Sequence, residues 1–370
     1  MTLFSTILVV CGKVNFTNLS RYSELNEKTY RRHFTAEFEF TPFNVELVKL
    51  ASDREQALLL VMDSSFIAKS GKATTGIDWY WNGCNSRVEK GLEISLVAVV
   101  DVDTATAYAL SAQQTLAQAE MPSDITRMGQ YLYHLEAVRP HLPMQVRYLA
   151  VDGAYAKETF VSGAVRCKLD VISKLRGDVN LRYLHTGEQK QRGRKRKYDG
   201  KVDFTDLSRF TCIKAMQPSV DLYTQRVWHV SLKREIRVVY LIDRRVPNRV
   251  RTCLLFSTDV EQDPQQIVQF YKLRFQIEFI FRDAKQFTGL EDCQARDLTK
   301  LEFHFNACLT ALNLAKVETP PPHPAQDPIP FSMATVKRRA LNQHLLERFI
   351  ATLGRICKLK KDSRCSVRPK

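Results

Sequence analysis

Apolar and polar residues follow one pattern near the N-terminus, a second up to about residue 176 and a third up to residue 261. In the first region, residues 15–20 and 26–34 have the spacing of two short amphipathic helices joined by five residues. The second helix would expose Lys28, Arg31 and Arg32 on adjacent turns. This pattern is typical of a helix–turn–helix whose second helix enters the major groove of DNA, and equally of a small helical hairpin without that function.

The second region alternates between apolar runs and segments with helical spacing. Strands are predicted at 57–62, 92–100, 104–110, 146–151 and 169–173, and helices at 123–138, with Ser123 as the N-cap, and at 157–166. Strands followed by a helix, a strand, a helix and a strand predict a mixed α/β sheet with helices on its faces.

Short, alternating, β-branched segments replace this pattern between residues 177 and 261. Strands are predicted at 210–215, 223–231, 236–242 and 251–257. They predict an antiparallel β subdomain inserted into the α/β chain. A helix then begins at Asp263, a good N-cap followed by proline, and is predicted to continue to about Gln286. A last helix at 300–316 precedes a Pro-rich break.

The charge of the chain is strongly positive and unevenly distributed. The 370 residues include 55 Lys and Arg against 40 Asp and Glu, which gives a formal net charge of +15. Two segments, 182–201 and 354–370, each carry a net +6 by our count of their charged residues. This excess indicates a polyanionic partner, with nucleic acid as the first candidate. The first segment, with Arg194, Lys195, Arg196 and Lys197, is predicted to be a loop that contacts phosphates or a solvated linker. The second is predicted to be a separate basic appendage.

Composition excludes several other classes of protein. The length of 370 residues predicts two or three domains, and a hydrophobic content of 44% indicates a globular chain. No apolar stretch reaches the roughly 20 residues that a membrane helix needs. The nine cysteines are scattered, without a C-x-x-C pair. They indicate reduced thiols in an intracellular protein rather than disulfides or a cysteine zinc site.

Two aspartates each follow a predicted apolar strand and precede small residues. Asp63 follows the run Leu60–Met62, and Asp152 follows Val151. A carboxylate at a strand end lies at the sheet edge where α/β folds bind ligands and metals, although aspartate also commonly begins a turn.

The helix predicted after Asp263 supplies a third carboxylate. At 100° per residue, a stripe about 60° wide contains Tyr271, Arg274, Glu278 and Lys285. The alternative is a solvated charged face stabilised by pairs four residues apart. Three carboxylates from two strands and a helix are typical of magnesium-dependent phosphoryl transfer, in which two metal ions activate the attacking oxygen and stabilise the leaving one. Zinc, acyl-transfer and P-loop motifs are absent from the sequence.

These residues resemble the signature blocks of the DDE transposases of bacterial insertion sequences, specifically insertion-sequence family four. The resemblance spans about residues 55–318 and rests on three ordered motifs: Asp63-Ser64-Ser65, Asp152-Gly153-x-Tyr155 and Tyr271-x2-Arg274-x3-Glu278-x6-Lys285.

The resemblance implies an RNase H-like mixed sheet, interrupted by the inserted antiparallel β subdomain, with a small helical N-terminal DNA-binding region. It implies that Asp63, Asp152 and Glu278 bind two Mg²⁺ (or Mn²⁺) ions, with Asp63 bridging them. Water would cut the transposon end, and the freed 3′-OH would attack target DNA. The implied parts are 1–54 (DNA binding), 55–176 (first part of the core), 177–261 (insertion), 262–318 (second part of the core) and 319–370 (Pro-rich break and basic tail).

The resemblance also implies contacts with DNA. Tyr271, Arg274 and Lys285 would contact phosphates near the cut. In relatives that excise through a hairpin, a flipped base stacks on a tryptophan of the insertion. Trp228 is the candidate here, with a core position as the alternative. Two further tryptophans, Trp79 and Trp81, are predicted to lie in a loop and fit either role.

The implied partners are the inverted-repeat transposon ends, target DNA and a second copy of the chain, in the cytoplasm of a bacterium at the nucleoid. Two alternatives remain: a catalytically silent DNA-binding descendant of a transposase, and a two-metal, structure-specific nuclease. The joint presence of Asp63, Asp152 and Glu278 favours an enzyme, because DNA binding alone has no use for three converging acids.

Overall fold

The computed structural model describes residues 2–51, 57–213, 219–247, 249–319 and 331–365, with side chains of the last segment described to residue 355. The predicted boundary between residues 54 and 55, the end of the predicted strand 210–215, the Pro-rich break from Pro320 and the last five residues lie outside these ranges. The chain groups into two compact units. A sheet unit spans Glu39–Phe281, and a helical unit combines Met1–Phe38 with Arg282–Lys370. The five-part division drawn from the sequence stays a prediction.

The helices and strands of the described residues are numbered in chain order. The helices are α1 (Thr2–Val9), α2 (Phe16–Arg21), α3 (Glu27–His33), α4 (Phe40–Ala51), α5 (Arg127–Val138), α6 (Glu158–Arg166), α7 (Pro264–Leu273), α8 (Gln276–Asp283), α9 (Leu298–Val317) and α10 (Met333–Cys365). The strands are β1 (Leu58–Ile67), β2 (Asp78–Asn82), β3 (Arg87–Asp101), β4 (Thr106–Thr115), β5 (Tyr148–Val151), β6 (Asp170–Leu175), β7 (Leu181–Leu184), β8 (Tyr198–Lys201), β9 (Thr211–Ile213), β10 (Val220–His229), β11 (Arg234–Val246) and β12 (Arg249–Ser257).

All strands within the described ranges join one sheet in the order β2-β3-β1-β5-β6-β12-β11-β10-β7-β8, with β4 on β3 and β9 on β10. β1, β5 and β6 run parallel. The other pairs, including β1–β3 and β6–β12, are antiparallel. The mixed α/β sheet predicted from the sequence is therefore confirmed.

Helices cover both faces of the central strands. His134 of α5 lies 2.9 Å from the hydroxyl of Ser95 on β3, whereas Arg274, directly after α7, reaches Asp63 on β1. Asp63 pairs with Leu96, the neighbour of Ser95, and adjacent residues of a strand point to opposite faces. Hence α5 and α7 lie on opposite faces, and the second half of β3 is buried throughout.

The antiparallel strands predicted for residues 177–261 do form, but they continue the central sheet. β12 pairs with β6, so β7 to β12 extend the same sheet outward. The inserted subdomain as a separate body stays a prediction. The prediction of a loop for the basic segment 182–201 was wrong at both ends of that segment. These ends lie in β7 and β8, and only the middle of the segment is a loop.

Three local predictions from the sequence were wrong. The α5 N-cap is Thr126, whose hydroxyl accepts a hydrogen bond from the Gly129 N–H, and not Ser123. Trp79 and Trp81 lie on strand β2 rather than in a loop. The helix that begins at Asp263 does not run unbroken to Gln286, because α7 ends at Leu273, α8 starts at Gln276 and a π-helical turn follows at Ala284–Thr288.

The helical unit is built on α9, which is buried along most of its length. Phe34, just after α3, packs against Phe16 and Phe303 with ring centroids 4.8 and 4.7 Å apart. The Lys337 ammonium group of α10 donates hydrogen bonds to the carbonyls of Ile7 and Phe287. The N-terminal helices are therefore part of one core with the C-terminal ones.

The described part of the predicted basic tail, residues 354–365, is the end of the long helix α10. Its interpretation as a separate basic appendage stays a prediction. Within the ranges described above, no helix is both long enough and apolar enough to cross a membrane.

Candidate active site

Asp63 on β1 and Asp152, the residue directly after the neighbouring parallel strand β5, lie at the same level. Met62 pairs with Val151, so the residues that follow them stand side by side. Asp152 directly follows β5, as predicted. Asp63, however, lies in the middle of β1 and not at its end, because Ser64 and the next residues keep pairing with β3. The sheet, rather than a turn, fixes the direction of the Asp63 side chain.

Arg274 connects Asp63 to Glu278. One guanidinium nitrogen lies 3.2 Å from Asp63 Oδ2, and the other lies 3.5 Å from Glu278 Oε1. Arg274 sits in the short break between α7 and α8, and Glu278 lies in the first turn of α8. The structure thus brings together carboxylates that are 215 positions apart in the sequence (278 minus 63).

Burial raises the pKa of the Asp63 carboxyl to about 6. The backbone N–H of Ser64 and the charge of Arg274 oppose this rise, and the carboxylates of Asp152 and Glu278 add to it. A second carboxylate nearby disfavours ionisation, whereas a cation favours it. The three acids therefore form one electrostatic group in which Arg274 supplies the compensating positive charge.

Tyr271 belongs to the same group. The Arg274 guanidinium lies 5.7 Å from the centre of its ring. Burial raises the pKa of Tyr271 to about 12, with Arg274 opposing the rise and Asp152 adding to it. The predicted stripe of Tyr271, Arg274 and Glu278 therefore faces the two aspartates, although the helix carrying it is broken.

A buried cluster of polar side chains, Glu93, Tyr131 and Tyr155, lies on the other face of the sheet from Asp63. The Tyr131 hydroxyl donates a hydrogen bond to Glu93 at 2.5 Å, and the rings of Tyr131 and Tyr155 lie 5.3 Å apart. Burial, followed by the charge of Asp63, raises the pKa of Tyr155 well above its usual range. Both phenols therefore stay protonated at neutral pH.

The donor set suits a hard divalent cation, because it consists of carboxylate oxygens around a buried acid with a raised pKa. In the part of the chain that the structure describes, no three His, Cys, Asp or Glu side chains already stand at the mutual distances of a metal site. Arg274 bridges Asp63 and Glu278 instead, and a cation at this site would be held by Asp63, Asp152 and Glu278.

A cavity of about 880 Å³ opens beside Asp152. Its walls combine three cations with two aromatic rings, which the sequence had not singled out: Lys157, Lys174, Arg176, Phe204 and Tyr240. The two rings lie 5.0 Å apart. At Gly153 an added Cβ would lie only 3.0 Å from the Lys174 carbonyl oxygen, so glycine lets the chain pass close to β6. In the sequence, this wall could have been indicated by the charged Lys174 next to the apolar Leu175 in a strand. The structure shows that Lys174 is exposed and that both its neighbours are buried.

A second cavity, of about 610 Å³, is lined mainly by cations: Arg182, Arg194, Lys195, Lys197 and Lys201. Arg196 instead pairs with Asp199 at 3.0 Å. Trp228 is half-buried on β10 beside this cavity, with its ring 5.6 Å from that of Tyr198. The basic segment therefore presents three of its four predicted contact residues on one concave surface.

The remaining predicted contact residues lie in the helical unit. Lys28 and Arg32 are exposed on α3. Arg31 forms an ion pair with Glu27 at 2.5 Å and lies 4.8 Å from the centre of the Phe16 ring. Lys285 lies in the π-helical turn, where its ammonium group pairs with Glu291 at 3.2 Å.

Residues 54–314 match the model of the family described as "Transposase DDE domain". A search of curated proteins found no match. The matched range covers most of the chain and includes Asp63, Asp152 and Glu278.

Proposed function

Because the chain belongs to the family of transposase DDE domains, we propose that it catalyses cut-and-paste transposition of an insertion sequence of family four. In this reaction water cuts the element's ends and the freed 3′-OH groups attack target DNA. The observation that carries the proposal is the meeting of Asp63 and Glu278 at Arg274, with Asp152 close enough to raise the pKa of Asp63.

In this proposal Asp63, Asp152 and Glu278 hold two Mg²⁺ or Mn²⁺ ions. When bound, such ions activate the attacking oxygen and stabilise the leaving one. Arg274 neutralises the carboxylates in the protein without metal, and its planar guanidinium then suits a DNA phosphate. The half-buried Tyr271 side chain keeps its hydroxyl proton, because its pKa is raised, and can donate a hydrogen bond to the same strand.

The DNA contacts proposed beyond the centre are electrostatic. The concave surface with Arg194, Lys195 and Lys197 presents cations without a carboxylate among its lining residues, which suits the phosphate backbone of the transposon end. Lys28 and Arg32, together with Arg31, and Lys285 are proposed as further phosphate contacts. The half-buried ring of Trp228 next to this surface supports its proposed role in stacking a base.

We place the second copy of the chain, expected in the synaptic complex, on helix α10. Five large apolar side chains of this helix are exposed: Leu345, Leu346, Phe349, Ile350 and Leu353. At 100° per residue they fall within about 140° of the helix circumference. A continuous apolar stripe of this kind is typical of a helix that packs against a partner helix.

The test is cleavage of DNA that carries the element's inverted repeats, with Mg²⁺ and with EDTA. We expect metal-dependent cutting at the ends, lost in Asp152→Asn. The matched control is Asp103→Asn, which removes an exposed carboxylate from the turn after β3, beside the start of β1. Cleavage by Asp152→Asn at the wild-type rate would refute the proposal.

Two other outcomes correspond to the alternative functions. Cleavage without any joined product would identify a structure-specific nuclease. Binding of the repeats without cleavage under any metal condition would identify a catalytically silent DNA-binding protein.

A further inference from the structure

Two tryptophans stand exposed on one face of strand β2. Trp79 and Trp81 are 61% and 58% accessible, and Val88, which pairs with Trp81 across the hairpin, is 52% accessible. Tyr80 between them is fully buried on the opposite face. Exposure of two neighbouring indoles is unusual on a protein surface and indicates a binding site for a ligand or a macromolecule.

The opposite face holds the hairpin in place. The Tyr80 hydroxyl lies 3.0 and 3.1 Å from the carbonyl oxygens of Gly76 and Thr115, and its single proton is shared between these two acceptors. At the tip, the Glu89 carboxylate accepts hydrogen bonds from Asn82, Asn85 and Arg87. The polar groups of the hairpin therefore form hydrogen bonds on the face of Tyr80, whereas the two indoles lie on the opposite face.

Charge separates the two faces in the same way. Lys90 pairs with Trp79 and therefore shares its face, whereas Asp78 and Glu89 lie on the face of Tyr80. Among the residues of β2 and those opposite them on β3, the indole face thus has a lysine and no carboxylate. Aromatic rings beside a cation suit unpaired nucleotides, whose bases stack and whose phosphates carry charge. A duplex backbone would call for more cations, and an acidic partner would gain little from the indoles.

The position of this face relates it to the active site. β3 pairs with β1 at Asp63 through Leu96, passes the end of β1 at Leu92, and continues to Lys90 and Val88. At about 3.4 Å per residue, the indoles lie roughly 20–27 Å along β3 from the level of Asp63. This length corresponds to about six to eight nucleotides of B-form DNA.

We propose that Trp79 and Trp81 form a stacking platform for unpaired bases of DNA, with Lys90 on the adjoining phosphate. The source of those bases, a strand opened near the cut, rests on the proposed transposase function. The stacking itself does not, because it requires only the exposed indole face.

The experiment measures binding of the full chain to fluorescently labelled oligothymidylate and to a fully paired duplex of the same length, both in EDTA. We expect Trp79→Ala/Trp81→Ala to weaken oligothymidylate binding roughly 10- to 100-fold while changing duplex binding less than about threefold. Trp79→Phe/Trp81→Phe, which keeps aromatic rings, should retain most of the affinity. Lys90→Ala should reduce the dependence of binding on salt.

The matched control is Tyr133→Ala, which removes another exposed aromatic side chain, on α5. Circular dichroism verifies folding of each variant. Equal oligothymidylate affinity in the wild type and the double alanine variant would overturn the proposal. So would a change from dimer to monomer in that variant with DNA binding unchanged, because the face would then bind a second copy. If the indoles are needed for oligothymidylate binding but no ends are cut in Mg²⁺, the proposed function fails and the stacking platform stands.

Discussion

Arg274 is the residue that links the ionisation of Asp63 to the position of Glu278. Its guanidinium contacts both carboxylates and is itself mostly buried. Since the site has three acids close together, the loss of this cation changes their protonation as well as their geometry. The residue's effect is therefore visible in a pH profile and not only in a rate.

We expect Arg274→Ala to slow metal-dependent end cleavage by about 10- to 100-fold and to move its acid limb to higher pH. Arg274 lowers the pKa of Asp63 from what burial alone would give. Without it, that pKa rises further above 6, and a larger fraction of Asp63 is protonated at pH 7. The measurement is cleavage rate against pH. Arg274→Lys, which keeps the charge without the planar fork, should shift the limb less. An unchanged limb in Arg274→Ala would contradict this account.

The sequence predicted that Asp152 follows a strand, but it did not predict the position of Asp63 within one. The apolar run ends at Met62, and a pattern of side chains cannot show that Ser64 and Ser65 continue pairing with Ser95 and Ile94. Asp152 was placed correctly because its strand does end at Val151. Side-chain polarity therefore located the carboxylates, whereas backbone hydrogen bonds decided their orientation.

At the scale of the elements, Gly91 is the residue at which β3 stops pairing with β1 and starts pairing with β2. A Cβ added at Gly91 would lie 2.7 Å from the Ile67 carbonyl oxygen and 2.6 Å from the Phe66 ring. Gly83, in the turn of the same hairpin, has nothing within 4 Å.

We expect Gly91→Ala to lower the free energy of unfolding by about 1–3 kcal/mol, as is typical of overpacking. Gly83→Ala should change it by less than about 0.5 kcal/mol, as exposed substitutions usually do. Urea titrations followed by circular dichroism compare the two variants. Equal stabilities would show that β3 can move away from β1 at no cost.

Helix α10 is the element on which the proposed dimer depends. Phe349→Glu places a charge near the centre of the exposed apolar stripe and should convert a dimer into a monomer. The measurement is size-exclusion chromatography with multi-angle light scattering. Ala351→Glu adds the same charge on the opposite side of the helix and should leave the dimer intact. A dimer in both variants would exclude this stripe as the interface.

The break between α7 and α8 had no signal in the sequence. Neither glycine nor proline occurs between Leu273 and Gln276, and the apolar spacing continues on both sides. The local backbone instead forms hydrogen bonds between residues three apart, from the Phe275 N–H to the Lys272 carbonyl and from the Ile277 N–H to the Arg274 carbonyl. At the break, Arg274 contacts Asp63 on β1 and the Phe275 ring is exposed. A contact between residues so far apart in the sequence cannot be derived from local helix propensity.

For the whole molecule, the net charge of +15 is concentrated rather than spread. Most of the cations in the first basic segment line the second cavity. The salt dependence of DNA binding should therefore give the number of phosphates that this cavity contacts. Each phosphate contact contributes about one unit to the slope of log affinity against log salt concentration.

Lys195→Ala/Lys197→Ala should therefore reduce that slope by about two for repeat-end DNA and weaken binding similarly across DNA sequences. Arg196→Ala is the matched control, because the Arg196 guanidinium is engaged by Asp199, and its slope should change by less than one. Titrations between 50 and 200 mM salt distinguish these outcomes. A wild-type slope in the double variant would show that the cavity does not hold the backbone.

The helical unit is assembled from the two ends of the chain, and this has a consequence for its synthesis. Ile7 and Phe34 are buried in a core that contains α9, which starts at Leu298. At roughly 5–20 residues per second, a ribosome needs about 15–60 s to reach that helix after making α1 to α3. During this interval the first three helices can contact one another but lack their native contacts with α9. In a nascent or truncated chain, the apolar side chains of the N-terminal helices that pack against α9 are therefore exposed to chaperones and proteases.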